Sequence, residues 1–170
     1  MKQKSAFLFG ILILICVGLS FSQSGYIKIG DIKGDATDSS HKDWISIESL
    51  NQTMERPSST SGATRQRAGV VLNDLVITKQ LDKATPKLME MCAKGKVIPK
   101  LEIEMVTNGR VYYKIILSNA RINGISTVTV CDPGCELLDK VAIGFSKIIW
   151  EHWDGAGNKT VSSYNSQTNR

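Results

Sequence analysis

The stretch Gly69-Val-Val-Leu-Asn-Asp-Leu-Val-Ile-Thr-Lys-Gln-Leu-Asp-Lys-Ala-Thr-Pro-Lys-Leu-Met-Glu-Met-Cys-Ala-Lys-Gly-Lys-Val-Ile-Pro-Lys100 decides the fold. Its β-branched run ends near Lys79, and the residues that follow carry helix signals. Thr85 is placed to cap a helix, because its hydroxyl can accept an orphan N–H of the first turn. Pro86 then falls at the first helical position, where a missing N–H costs nothing. Leu88, Met89, Met91 and Cys92 make an apolar stripe at helical spacing. Gly95 supplies a left-handed stop. The chain then returns to strand with Lys100-Leu-Glu-Ile-Glu-Met-Val106. One short helix is thus inserted in a chain that otherwise reads as β.

Outward from this segment, alternation and turn residues predict about seven or eight strands. Tyr26–Gly30 is the first, Asp31–Lys42 a polar loop, and Asp43–Thr53 the second strand. Leu101, Ile103 and Met105 share one face of the strand after the helix, opposite Lys100, Glu102 and Glu104. Asn108-Gly109 is a type I′ hairpin signal, and Val111, Tyr113, Ile115 and Leu117 continue the inward face beyond it. Ala120–Val130 and Leu137–Trp153 are further strands joined by Asp-Pro-Gly. Gly155-Ala-Gly157 turns the chain into a final edge, Lys159–Tyr164. Between the second strand and the quoted segment lies Glu55-Arg-Pro-Ser-Ser-Thr-Ser-Gly-Ala-Thr-Arg-Gln-Arg67, which has no apolar period. A structureless segment of that length inside a compact domain is usually functional or disordered.

The chain opens with Lys2 and Lys4, an almost wholly apolar run Ala6–Phe21, and small residues at Ser20-Phe21-Ser22. That is the layout of a cleaved signal peptide over residues 1–22, and the run is short for a membrane span. An uncleaved anchor is the other reading. The rest divides into a β domain over 23–164 and a polar tail over 165–170. Formal net charge is +5, and cleavage leaves 19 basic against 16 acidic residues. The basic residues interleave with acids rather than cluster, so nucleic-acid binding is unsupported. Cys131-Asp-Pro-Gly-Cys135 brackets a tight turn that could bring two thiols within disulfide reach. A zinc half-site is the alternative, although His41 and His152 lack paired spacing. Cys92 reads as a buried free thiol. His41 reads as a solvated loop residue and His152 as a rim residue. No phosphate loop, catalytic constellation, metal set or cofactor motif is present in the sequence, so the reading is of a protein that is not an enzyme and carries no cofactor.

Two segments resemble the Hcp family, the ring-forming tube proteins of type VI secretion systems. One is Tyr26-Ile-Lys28-Ile-Gly30-Asp-Ile-Lys-Gly34-Asp35; the other is Leu75-Val-Ile-Thr78-Lys79-Gln-Leu-Asp82-Lys-Ala84-Thr85-Pro86-Lys-Leu88, with Cys92 following. The resemblance covers Tyr26 to about Tyr164. It implies a compact β-barrel of two packed sheets with one short α-helix on its flank. It also implies homo-hexameric rings that stack into a tube, carry effector proteins and meet spike proteins. In that scheme Glu55, Arg56, Ser59, Thr64, Arg65 and Arg67 belong to the loop that contacts the neighbouring ring. Tube subunits of the family assemble in the cytoplasm without a cleavable signal, so residues 1–22 set this chain apart. They imply export to the periplasm or beyond, with no stable membrane association after cleavage. The alternative function is a monomeric secreted β-domain that binds a small ligand or carbohydrate.

Overall fold

The computed structural model describes residues 23–56, 70–131 and 133–168. Among them, β1 (Gln23–Ile29) pairs antiparallel with β2 (Ile45–Ile47) on one side and β7 (Ile98–Thr107) on the other. A turn at Asn108-Gly109, both at positive φ (50° and 72°), returns β7 into β8 (Arg110–Cys131). This is the backbone that a type I′ turn demands.

β8 runs for 22 residues and is the spine of the molecule. Its first half pairs with β7 and with β10 (Lys147–Trp153), which carries β11 (Lys159–Asn165) at the outer edge. Its second half pairs with β9 (Cys135–Gly144), then β6 (Leu75–Gln80), then β3 (Ser49–Asn51). Asn119, at φ 51°, marks the change of partner, and the register shifts between Ile122 and Gly124. A bulge of this kind bends and twists a strand, which lets one strand serve two sheets. The core between them holds Ile27, Ile45, Leu75, Ile77, Leu101, Ile103, Ile115, Leu117, Val141, Ile143 and Ile148, all buried.

Several expectations are corrected. Among the described residues the sheet does not close into a barrel: β2 pairs with β1, β3 pairs with β6, and no ladder joins β2 to β3. The expected strand over Asp43–Thr53 is broken at Glu48, whose N–H turns aside to the Thr78 carbonyl (2.8 Å). Leu137–Trp153 is two strands, separated where the Ser146 N–H bonds the Ser118 carbonyl (3.1 Å). Ala120–Val130 is the continuation of β8 rather than a strand of its own. Between Met105 and Val106 the register also shifts, so Val106 rather than Met105 is buried.

Helix α1 spans Thr85–Lys94. Gly95 ends it at φ 59°, with the Gly95 and Lys96 N–H groups donating to the Cys92 and Met91 carbonyls (both 3.1 Å). Leu88 is fully buried against the sheet, and a leucine so placed contributes about 1.5–3 kcal/mol. Met91 and Cys92 pack half-buried beside it, whereas Met89 is 41% exposed and does not belong to the packed stripe. Thr85 is not the cap. Ala84 holds that position with no side-chain bond, Thr85 is the first helical residue, and Pro86 is the second.

Candidate assembly interface

The Thr85 hydroxyl is engaged elsewhere. It accepts from the Lys79 ammonium (2.9 Å) and donates to Asp139. Lys79 Nζ also reaches Asp139 Oδ2 (3.0 Å), Asp82 Oδ1 (2.7 Å) and the Gln80 carbonyl (2.7 Å). Lys79 and Asp139 are wholly buried, so their charges must be met inside the protein. Asp139 is completed by the Thr127 hydroxyl (2.7 Å). Burial pushes the Asp139 carboxyl up, but hydrogen bonds from Thr85, Thr127 and Lys79 outweigh it and hold the group below its ordinary value. Asp82 Oδ1 accepts the Ala84 N–H (3.0 Å), so this carboxylate satisfies an orphan donor at the helix entry. Lys79, Asp82 and Thr85 therefore lock α1 onto β6, β8 and β9.

The opening segment is structural too. Gly30 sits at φ 51°. Gly34 is buried, and a Cβ there would lie 2.4 Å from the Trp44 carbonyl oxygen. Lys28 projects outward, 5.8 Å from the Trp44 ring centroid. Thr78 lends its carbonyl to Glu48 and pairs with Lys140 and Ser49. Pro86 is exposed on the first turn of the helix.

His41 corrects the expectation of a solvated residue: it is 4% exposed. Its ring stacks on Tyr26 (centroids 4.3 Å apart) and meets Trp44 edge-on (5.0 Å). Nδ1 lies 2.9 Å from Asp38 and Nε2 2.9 Å from Glu104, whose other oxygen accepts from Lys114 (2.8 Å). Burial pushes Glu104 up, yet Lys114 and His41 outweigh it and hold it below the usual carboxylate range. The network pins the polar loop to β7. Its local traces in the sequence are Asp38 and Trp44, three residues before and after His41. His152 lies exposed on β10, as a rim residue would.

The surface is where assembly contacts can form. β4 (Met54–Glu55) pairs with β5 (Val71–Leu72) as a separate two-stranded ribbon, with Glu55 opposite Val71. Arg56 follows, exposed; Ser59, Thr64, Arg65 and Arg67 lie outside the described residues, as does the 1–22 segment. The ribbon presents Met54 and Val71, 42% and 45% exposed. A second arm is the far end of β8 with the start of β9, exposed on both faces and carrying Val128, Val130 and Leu137. Cys131 and Cys135 close its last rung, their sulfurs 2.15 Å apart and Cα atoms 4.0 Å apart, while Cys92 is free and half-buried. Among the described strands β11 pairs with β10, and Val161 on it is 52% exposed. Among the described residues no group of three His, Cys, Asp or Glu side chains could hold a metal ion, and no helix is long and apolar enough to cross a membrane.

This architecture has known counterparts. The chain is 32% identical over 129 residues to the protein hcp1 of Pseudomonas aeruginosa, spanning 72% of this chain and 78% of that one. It is 27% identical over 152 residues to a protein of the same organism named major exported protein, spanning 80% and 87%. The crystal structure of Hcp1 from Salmonella typhimurium superposes with a TM-score of 0.75 at 24% identity, covering 88% of this chain and 98% of that chain. A structure described as a type six secretion system protein gives 0.79 at 19% identity, covering 88% and 99%. The family model described as type VI secretion system effector, Hcp, matches residues 26–152. The chain belongs to the Hcp family of type VI secretion system proteins.

Proposed function

We propose that this chain is an exported structural subunit that forms hexameric rings, and that the rings stack through the segment Glu55–Arg67 into a tube able to carry effector proteins. The observation that carries the reading is the family match across residues 26–152, which runs from within β1 to within β10. Physical features of the chain support it. Two exposed apolar arms are liabilities for a lone domain, and neighbours in a ring would cover such surfaces. The Glu55–Arg67 segment begins in the ribbon of β4 and β5. Contacts are most readily placed on loops held by such scaffolds. Residues 1–22 direct export, and the pairing of Cys131 with Cys135 suits an oxidising compartment.

Replacement of Glu55–Arg67 by a short Gly-Ser link tests the assignment. The expected outcome, read by native mass spectrometry and electron microscopy, is an intact hexamer that no longer stacks. Stacking unchanged by the replacement would overturn the role of the loop.

A further inference from the structure

A groove of about 900 Å3 runs between α1, the turn after β1 and the entry of β7. Neither the helix-locking network nor the assembly surfaces use it. Its floor offers Ile32 and Met91, half-buried, with Val97 and Pro99 exposed beside them, above the buried Ile29 and Ile98. Its walls hold five lysines (33, 83, 87, 94 and 96) against three carboxylates, Asp31, Asp43 and Glu90. The excess is concentrated along the helix. Glu90 serves both Lys87 (2.8 Å) and Lys94 (2.5 Å), and the two ammoniums hold its carboxyl at about 2. One carboxylate thus answers two cations there. Lys96, just past the Gly95 stop, has no side-chain partner among the described residues.

An apolar floor beneath a cationic wall selects an apolar body with an anionic head. The volume lies at the upper end of the range for small-molecule sites, roughly 300–1,000 Å3. Lysines recognise such a head as mobile point charges, which suits a carboxylate or phosphate without demanding one geometry. We infer that this groove binds a single-chain amphipathic anion of the fatty-acid class, its chain along Ile32, Met91 and Val97 and its head toward Lys94 and Lys96. This inference is independent of ring formation.

Calorimetric titration of the mature protein with decanoate, below its micellar concentration, tests it. Decanoate should bind, while acetate (head without chain) and 1-decanol (chain without head) should bind at least about tenfold more weakly. Reversal of the two charges in Lys94→Glu/Lys96→Glu should weaken decanoate about tenfold, a factor equivalent to ~1.4 kcal/mol, and leave 1-decanol unaffected. Lys96→Ala, which breaks no ion pair, should weaken it by a smaller factor and decides the matter if the double variant does not fold. Absence of decanoate binding, equal binding of acetate, or affinity unmoved by either variant would overturn the inference. Binding to phosphatidylglycerol vesicles without binding of free decanoate would overturn it as well, since that outcome assigns a membrane surface rather than a groove ligand.

Discussion

Lys79→Met is the most searching single perturbation of the fold. Methionine keeps nearly the length and volume of the lysine stem but removes the ammonium, and with it bonds to Asp139, Asp82, Thr85 and the Gln80 carbonyl. Asp139 is left buried and charged with only two threonine donors. Removing one partner of a buried ion pair typically costs about 3–5 kcal/mol. The surviving threonine bonds place this site near the lower figure, about 3 kcal/mol. With a urea m-value of about 1–3 kcal/mol/M for a domain of this class, the midpoint should fall by about 1.5 M, read by tryptophan fluorescence. Asp139→Asn should cost less, because Asp82 still answers the ammonium at 2.7 Å. The double variant removes both charges. Its cost should fall short of the sum of the singles by at least about 1 kcal/mol, within the coupling range of contacting residues. A Lys79→Met loss under about 1 kcal/mol, or additivity within about 0.5 kcal/mol, would refute the claim that this pair locks the helix to the sheet.

Three further outcomes follow from the same geometry. Gly34→Ala should destabilise by about 1–3 kcal/mol, because the new Cβ would meet the Trp44 oxygen at 2.4 Å and the Ile45 Cα at 2.5 Å; Gly134→Ala, with nothing within 4 Å, should be near neutral in the same denaturation assay. Cys131→Ser/Cys135→Ser should lose less than about 3 kcal/mol, since the closed loop is so short, while non-reducing peptide mapping of exported wild type should find Cys92 as the one alkylatable thiol of the three downstream of residue 22. Asp139 is depressed in the folded state, so its stabilisation is complete above its ordinary value of about 3.9 and is lost as pH falls through its lower folded value; Asp139→Asn should therefore show a shallower decline of urea midpoint below about pH 4 than wild type.

Much of this architecture was legible because local signals and tertiary demands agreed. The Asn108-Gly109 hairpin, the Gly95 stop and the alternation of Leu101 and Ile103 each have one cheap conformation, and the fold uses it. Errors arose where a side chain had two plausible employments. Thr85 could cap a helix or join a buried network, and the buried Lys79, sixty residues from Asp139, decided for the network. His41 sits in a polar stretch, yet Tyr26 and Glu104 come from strands that a loop-by-loop reading does not bring together. The closed barrel failed on register. Periodicity shows which residues face inward, but the change of partner along β8 near Asn119 and the break at Glu48 depend on which strands compete for β8 and for Thr78. The exposed apolar arms left no signature in the sequence, since an exposed valine on an arm looks like any surface valine until the ladder places it.

In the proposed function, six copies of this chain close into a ring. Native mass spectrometry of the mature protein, supported by light scattering at tens of micromolar, measures it directly. A dominant species of six times the subunit mass is expected. A protein that stays monomeric at high micromolar concentration, with the fold intact by circular dichroism, would contradict it.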